Sequence, residues 1–353
     1  MSHLNRNTLA LVRILIGTCT VAVWCAGECT GALEIAPLRY SVSTTPTSFI
    51  PYASSQPLDT RDTAIRRVVF SIHSSGFDAM QYLDNARAAA AKRGVSDETL
   101  VIAPQLFERT AIPGTIPEEM LFWRVSPFRG SSRAAVGPSA QPLSHSAFAV
   151  IDTFLAEIAE RKTFPNLRDI VLVGHSGGGQ LVQRYAMVGK FAPPSGMSIR
   201  FVVSAPSSYA YPSGERFHQG QKRFVVPDES VVQQCPGYNN WGYGLEQPYA
   251  YFNGRAMESI AAEYANKSVF YLCGSRDTDP NDASIGKSCG AMMQGFHRLQ
   301  RMLVFEKFMR FKFGRDVSKK HRFAVVPDVG HFGRGTMNSR PGLIALFAPL
   351  ASD

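Results

Sequence analysis

Short apolar runs alternate along the chain with stretches in which apolar residues recur every three or four positions. The short runs are typical of strands that are buried on both faces, and the longer stretches are typical of helices with one apolar face. Their alternation predicts an α/β fold, in which helices cover both faces of a mostly parallel sheet. The predicted strands are residues 67–72, 100–103, 170–173, 201–203, 269–272 and 323–326, and the predicted helices are residues 80–93, 148–158, 180–188 and 292–313.

Two segments interrupt this alternation. Residues 105–143 are rich in proline and glycine and have no clean period, which predicts a long loop. Residues 206–253, the inserted segment, combine prolines with a cluster of aromatic residues. This segment is predicted to form a lid or a substrate wall, and a packed surface excursion without a role in binding is the alternative. Residues 33–353 are predicted to form one domain that contains it.

The helical pattern of residues 292–313 is apolar on most sides but also carries basic residues, among them Arg298, Arg301, Lys307 and Arg310. We predict that this helix covers the sheet and that its charged groups reach solvent along apolar stems. Docking of an acidic surface onto these residues is the alternative interpretation.

The first 32 residues are predicted to be a secretory signal peptide. Arg6 and Arg13 precede an apolar run over residues 14–24, and small residues lead to Ala32. A basic start, a short apolar stretch and a small-residue exit are typical of such signals. An uncleaved membrane anchor is the alternative. We therefore expect the protein to be secreted or periplasmic, with no stable membrane span after removal of the signal.

The composition excludes several classes of protein. Hydrophobic residues make up 45% of the chain and charged residues 18%, which is typical of a chain with a sizeable core and excludes disorder. Lys and Arg number 37 against 28 Asp and Glu, a net charge of +9. These basic residues are scattered and do not form a stripe with stacking aromatics, so no nucleic-acid partner is expected.

Three cysteines remain after cleavage at Ala32, namely Cys235, Cys273 and Cys289. An oxidising compartment permits one disulfide among them. Cys273 with Cys289 and Cys235 with Cys289 are both candidate pairs, and three unpaired thiols are a further alternative.

The strongest chemical signal is Gly174-His175-Ser176-Gly177-Gly178, which lies between a predicted strand and a predicted helix. A serine hydroxyl is a weak nucleophile and must be held clear of the sheet and offered to a base. A sharp strand-to-helix turn does this when the residues two before and two after the serine are glycines. Ser176 is therefore the predicted nucleophile.

An acid and a histidine are expected after Ser176, each at the carboxyl end of a later strand. Asp277 follows the strand at 269–272, and His331 follows the strand at 323–326. His331 is predicted to take the proton from Ser176, while Asp277 orients the imidazole. Asp279 is the competing acid, and Asp282 is a more distant candidate.

An oxyanion formed at this site needs two backbone N–H donors. Gly177 follows the nucleophile and is predicted to supply one of them. Ser75, in the loop after the first predicted strand, is predicted to supply the other, and Ser74 is the alternative donor. His73 is expected to brace that loop, and His175 is expected to support the turn at Ser176.

Four motifs in this order resemble the α/β-hydrolase superfamily: His-x-x-Gly at 73–76, Gly-His-Ser-Gly-Gly at 174–178, Gly-x-x-Asp at 274–277 and Gly-His at 330–331. The resemblance spans roughly residues 65 to 345. Four further details resemble a poorly characterised group of exported, esterase-like serine hydrolases: Pro206-Ser207-Ser208-Tyr209, Cys235-Pro236 with Tyr238-Asn239, Trp241-Gly242-Tyr243-Gly244 and Asp277-Thr278-Asp279-Pro280. It implies hydrolysis of carboxylic esters. One departure is Ser74, where the superfamily commonly has glycine.

The resemblance implies a small-molecule or polymeric ester as the partner, with amides, thioesters and polyesters as related substrates. Tyr209, Trp241 and Tyr243 of the inserted segment are predicted to contact the substrate. No motif for a metal or cofactor is present in the sequence, so none is expected. A hydrolase-like binding or scaffold protein without turnover is the alternative function.

Overall fold

The structure, a computed structural model, describes residues 33–349 apart from residues 131, 161, 248 and 253. The predicted signal peptide, residues 1–32, lies outside the described residues. In chain order the strands are β1 (Leu38–Thr44), β2 (Thr47–Ser54), β3 (Arg67–Ile72), β4 (Thr99–Pro104), β5 (Leu121–Trp123), β6 (Arg133–Val136), β7 (Gln141–Ser146), β8 (Asp169–His175), β9 (Ser198–Ser204), β10 (Arg216–His218), β11 (Arg223–Val225), β12 (Val269–Gly274) and β13 (His321–Val326).

The six predicted strands join β1 and β2 in one sheet of eight strands in the order β1-β2-β4-β3-β8-β9-β12-β13. Strand β2 runs antiparallel to both β1 and β4, and the other neighbouring pairs are parallel. The apolar runs do not predict β1 and β2. Strand β1 begins Leu-Arg-Tyr-Ser-Val, and this alternation of apolar and polar residues is typical of a half-buried strand.

Helices cover both faces of the sheet, which confirms the predicted architecture. Neighbouring residues of β8 point to opposite faces, so Ile170 and Leu172 join one apolar cluster while Val171 and Val173 join the other. The helices are α1 (Ala79–Arg93), α2 (Ala147–Ala159), α3 (Gly177–Val188), α4 (Glu229–Gln234), α5 (Met257–Ala265), α6 (Cys289–Met292), α7 (Arg298–Phe313), α8 (Gly333–Met337) and α9 (Arg340–Phe347). The first cluster includes residues of α2, α3, α5 and α7, and the second includes residues of α1, α8 and α9.

The prediction of a long loop over residues 105–143 is wrong. Strands β5, β6 and β7 form a small antiparallel sheet there. Strands β5 and β6 have only three and four residues, and all three residues of β5 are buried. Strands this short, separated by proline and glycine, leave no periodic pattern in the sequence.

Helix α7 begins six residues later than the predicted start at 292, and two of its arginines contradict the predicted exposure. Lys307 and Arg310 are exposed as predicted, but Arg298 and Arg301 are only 1% and 0% exposed. Both of these arginines lie in the first turn of the helix, where polar loops rather than solvent surround them. Both buried guanidinium groups donate hydrogen bonds to carboxylate or carbonyl oxygens, although Nε of Arg298 has no partner among the described residues.

The inserted segment contains the β10–β11 hairpin and α4. A disulfide joins Cys235 of this segment to Cys289 of α6, while Cys273 is a buried free thiol. This is one of the two pairs that the sequence left open. The segment is therefore tied covalently to the loop between β12 and α7.

Candidate active site

Ser176 lies at the sharp turn between β8 and α3, with φ 55° and ψ −115°. A side chain with a Cβ is strained at such a positive φ, so the surrounding structure must impose it. A Cβ on Gly178 would lie 2.5 Å from the carbonyl oxygens of Ile72 and His73, and one on Gly174 would overlap with the backbone of Gly178. The turn therefore requires glycine two residues before and two residues after Ser176.

Three side chains from distant parts of the chain form a continuous hydrogen-bonded chain. His331 Nε2 lies 3.0 Å from Ser176 Oγ, and His331 Nδ1 lies 2.8 Å from Asp277 Oδ2. An ionised carboxylate only accepts hydrogen bonds, so the Nδ1–H group donates to Asp277 and Nε2 keeps a lone pair for the serine proton. Asp277 is buried at 3% side-chain exposure, while His331 is 19% exposed.

The loops that carry Asp277 and His331 meet because they follow neighbouring parallel strands, β12 and β13. A Cβ on Gly274, the last residue of β12, would overlap with the carbonyl group of Val329. Glycine at this position therefore lets the two loops touch. Arg276 N donates to Val329 O at 2.9 Å, which holds the loops in this register.

The two competing acids have other partners. Asp279 is exposed and accepts the Asn281 N–H at 2.8 Å. Asp282 accepts a hydrogen bond from Arg298 Nη2 at 3.2 Å. Of the three candidate acids, Asp277 is thus the one whose carboxylate contacts His331.

His175 packs behind His331, with the two ring centroids 4.6 Å apart. Its Nδ1 lies 2.9 Å from the hydroxyl of Ser204 at the end of β9. Burial holds the pKa of His175 well below its ordinary value, and the charges of His331 and Arg298 lower it further. The neutral ring therefore supports the turn at Ser176 without competing for protons near neutral pH.

His73 braces the loop between β3 and α1, as expected from the sequence. Its Nε2 accepts the Leu106 N–H at 2.8 Å, and its Nδ1 lies 2.8 Å from Ser74 O. Burial lowers the pKa of His73 to about 4. An acceptor role for Nε2 requires the neutral imidazole, so the hydrogen bond and the lowered pKa are consistent.

The two predicted oxyanion donors lie on neighbouring elements. Gly177 is the first residue of α3, where backbone N–H groups have no partner within the helix. Ser75 is exposed in the loop between β3 and α1. The left-handed residue of that loop is Phe77, with φ 59°, and its N–H donates to Ser74 O at 3.0 Å. The loop therefore does not require glycine at Ser74.

The three aromatic residues predicted to contact substrate lie in different environments. Tyr209 is 0% exposed and stacks on Phe305, with the ring centroids 4.5 Å apart. Trp241 is 2% exposed and belongs to the same core. Tyr243 is partly exposed, and its hydroxyl lies 2.6 Å from Ser288 Oγ. Tyr243 is therefore the member of this set that a ligand can reach without movement of the core.

Sequence reasoning did not assign Arg298 or Phe128 to the site. Arg298 Nη1 lies 3.3 Å from Asp277 Oδ1. The Phe128 ring lies against Gly177, since a Cβ there would be 2.7 Å from the ring. Neither residue belongs to a motif: Phe128 lies in the segment that was predicted to be a loop, and Arg298 lies on a predicted helix from which its charged group was expected to reach solvent.

Within the part of the chain that the structure describes, no cluster of three or more His, Cys, Asp or Glu residues is arranged to hold a metal ion. Among those same residues, no helix has the length and apolar character needed to cross a membrane.

Comparison with known proteins places this site in a family context. Residues 68–345 match the sequence profile of the alpha/beta hydrolase family. No curated protein sequence matches the chain. Two solved structures share its fold at 19% sequence identity. Poly(aspartic acid) hydrolase-1 from Sphingomonas sp. KT-1 gives a TM-score of 0.55 over 86% of this chain and 96% of that one. LpqC, a poly(3-hydroxybutyrate) depolymerase from Bordetella parapertussis, gives 0.53 over 86% of each chain.

The family match covers most of the described chain, and the sheet order, the strained turn and the two loops at the carboxyl ends of β12 and β13 agree with it. The chain therefore belongs to the alpha/beta hydrolase family, and hydrolysis is its class of reaction.

Proposed function

We propose that this protein is a serine hydrolase that cleaves carboxylic esters through an acyl-enzyme on Ser176. The observation that carries the proposal is the hydrogen-bonded chain from Asp277 through His331 to Ser176 at the carboxyl edge of the sheet. A nucleophile, a base and an orienting acid within hydrogen-bond distance are what acyl transfer needs.

In the first half of the reaction, His331 Nε2 takes the Ser176 proton as Oγ bonds to the ester carbonyl carbon. His331 then gives that proton to the leaving alkoxide, the C–O bond breaks, and an alcohol and an acyl-serine result. In the second half, His331 takes a proton from water as the hydroxide bonds to the acyl carbon. The bond from that carbon to Ser176 Oγ then breaks, Oγ takes the proton back from His331, and the carboxylic acid leaves. Asp277 holds the imidazole in the correct tautomer and stabilises its charged form.

The negative charge that develops on the carbonyl oxygen needs N–H donors that are already in place. The proposed donors are the backbone N–H groups of Gly177 and Ser75, and removing one such donor typically costs about 3 kcal/mol of transition-state stabilisation. Gly177 begins α3, a helix of 12 residues, so the positive end of the helix dipole also favours an anion there.

The proposed substrate wall is formed by the inserted segment. Tyr243 is the proposed contact residue, while the buried rings of Tyr209 and Trp241 support the wall from behind. The two structures described above are named for the hydrolysis of poly(aspartic acid) and the depolymerisation of poly(3-hydroxybutyrate), so polyesters and polyamides belong among the substrates to test beside simple esters.

We also propose that the protein is exported. The predicted signal peptide and the Cys235–Cys289 disulfide support this location, because disulfides persist in secreted and periplasmic proteins and are rare in the cytosol.

The test is labelling with a fluorophosphonate probe together with hydrolysis of p-nitrophenyl esters of increasing chain length. Wild-type protein should label and turn over esters, and Ser176→Ala should lose labelling and at least roughly 10⁴-fold in kcat. Asp277→Asn should lose a comparable factor because the imidazole takes the wrong tautomer. Ser230→Ala, which removes an exposed serine of α4, serves as the matched control.

Peptide, thioester and polyester substrates in the same screen distinguish related hydrolases from the alternative of a binding protein without turnover. A wild-type chain that neither labels nor hydrolyses any of these substrates would contradict the proposal and favour the binding protein. Equal labelling of wild type and Ser176→Ala would remove Ser176 as the nucleophile.

A further inference from the structure

We propose that Arg298 is a positioning residue for Asp277, and that Arg298 and Asp282 act as an opposed pair of charges that sets the acid limb of the pH–rate profile. This inference depends on the proposed function, since it concerns the protonation of His331 as a catalytic base. It assigns roles to two residues that no motif of the sequence marks.

The two oxygens of the Asp277 carboxylate have different partners. Oδ2 accepts from His331 Nδ1 at 2.8 Å, and Oδ1 accepts from Arg298 Nη1 at 3.3 Å. The backbone carbonyl of Asp277 also accepts the Leu299 N–H at 3.2 Å. The start of α7 therefore holds both the backbone and the side chain of the acid, and it fixes which oxygen faces the imidazole.

Arg298 is itself held from its other side. Its Nη2 donates to Ser284 Oγ at 2.7 Å and to Asp282 Oδ1 at 3.2 Å. The Arg298 side chain is 0% exposed, the Asp277 side chain 3% and the Asp282 side chain 26%. A buried guanidinium with two carboxylate partners is geometrically constrained, and loss of any one member leaves an uncompensated charge near the site.

The three charged groups sum to one negative charge. Burial alone would raise the pKa of Asp282, but hydrogen bonds from Ser284 and Arg298 hold it well below its ordinary value, so Asp282 is ionised. Without Asp282, the charge of Arg298 would neutralise that of Asp277, and the imidazolium of His331 would lose its stabilising field. Asp282 thus restores the net negative charge that a base beside a buried arginine needs.

Three neighbouring ionisable groups, His175, Cys273 and Tyr209, stay uncharged near neutral pH. Burial holds the pKa of His175 well below its ordinary value. Burial, together with the charge of Asp277, raises the pKa of the Cys273 thiol, whose Sγ lies 3.9 Å from Asp277 Oδ2. Tyr209, which interacts with the charge of Asp277, has a pKa raised well above its ordinary value, mainly by burial.

Two further charged groups, Arg301 and Asp279, lie near these residues. Burial and the neighbouring charge of Arg298 lower the pKa of Arg301 to about 10, so Arg301 remains a cation. Its guanidinium group donates to the carbonyl oxygens of Ser207, Gly286 and Gly295 rather than to Asp277. Asp279 is exposed, where solvent screens its charge.

The opposed charges give shifts of opposite sign. Arg298→Gln removes a positive charge, stabilises the His331 imidazolium and should move the acid limb of kcat/KM to higher pH by about 1 unit. Asp282→Asn removes a negative charge and should move the same limb to lower pH by about 0.5 unit, because this residue is farther from the imidazole and partly exposed. A residue with a purely structural role would lower the rate without moving the limb in either direction.

The experiment measures kcat/KM for p-nitrophenyl acetate, and the rate of fluorophosphonate labelling, between about pH 5 and pH 9. Arg298→Lys restores the charge, so the acid limb should return toward that of the wild type. It does not restore the planar guanidinium that bonds two carboxylates, so kcat should stay below that of the wild type. The matched control is Arg276→Gln with Asp328→Asn, an exposed pair of the same two loops at 69% and 81% side-chain exposure, which should leave the limb unmoved.

An active wild type in which both Arg298→Gln and Asp282→Asn keep the acid limb of the wild type would overturn this inference alone. Shifts of the same sign in both variants would overturn it as well. If Arg298→Gln does not fold, the shift of Asp282→Asn decides the question. A wild type that neither labels nor hydrolyses esters is the separate outcome that contradicts the proposed function.

Discussion

The turn around Ser176 and the inserted segment are held in place by different means. The turn is formed by consecutive residues, and glycine backbone atoms in close contact impose its geometry. The inserted segment is held by side chains and a disulfide that arrive from distant parts of the chain. Arg184 of α3 donates to Gly242 O at 2.8 Å, Arg301 of α7 donates to Ser207 O, and Cys289 is bonded to Cys235.

This contrast indicates which substitutions should disturb each region. A turn that depends on backbone contact is distorted when a single methyl group is added, and the distortion displaces Ser176. A segment that is held by long-range side-chain contacts and a disulfide is released when one of them is removed, and the first consequence is a loss of stability. Arg184 is only 2% exposed, and this burial, with a further contribution from the charge of Arg129, lowers its pKa to about 9.

The largest stability effect is expected from the disulfide. Cys235→Ala with Cys289→Ala opens a loop with a sequence separation of 54 residues, and the chain-entropy relation gives a loss of about 4 kcal/mol in the free energy of unfolding. Denaturant unfolding measures this loss. Because the Ser176 turn does not depend on the disulfide, kcat for a small ester should change less than about tenfold at 25 °C. Reducing the wild type with dithiothreitol should reproduce the loss. An unchanged midpoint of denaturant unfolding would show that the inserted segment is held in place without the disulfide.

A smaller loss of stability but a larger loss of activity is expected at the turn. Gly178→Ala places a Cβ against the carbonyl oxygens of Ile72 and His73, and such overpacking costs about 3 kcal/mol. The displaced nucleophile should lower the labelling rate by about 100-fold. Gly237→Ala is the matched control, because its Cβ would have no neighbour closer than Asn240 Nδ2 at 3.6 Å. Normal labelling of Gly178→Ala would refute the close-contact explanation.

The smallest effect concerns pH and the loop that carries Ser75. Burial lowers the pKa of His73 from 6.5 to about 4 in the folded protein, so the unfolded chain takes up a proton first as the pH falls. Stability is thus complete above about pH 6.5 and declines as the pH falls toward 4, and this residue accounts for about 2 kcal/mol of the decline between about pH 7 and pH 5. His73→Gln should flatten this part of the stability–pH curve, measured by denaturant unfolding at about pH 7 and pH 5.

His218→Gln, which removes an exposed histidine of β10, is the control for this prediction and should leave the slope unchanged. An equal slope in His73→Gln and wild type would mean that protonation of His73 does not contribute to acid destabilisation.

Much of the site could be predicted because its parts obey local rules. Strand ends are visible in the sequence, glycines mark the turn at Ser176, and parallel strands bring their carboxyl ends to one edge. The choice among the three acids was open, since Asp277 and Asp279 follow the same strand two residues apart. The hydrogen bond to His331 distinguishes them, and it depends on the contact between two loops at Gly274 and Val329.

The sequence by itself determined the α/β architecture, the position of the turn at Ser176 and the order of the proposed nucleophile, acid and base, because periodicity and backbone sterics act over a few residues. Only the tertiary structure decided the pairing of Cys235, the burial of Tyr209 and the contact of Arg298 with Asp277. These features depend on which distant segments meet, and a buried arginine has the same local pattern as one that reaches solvent.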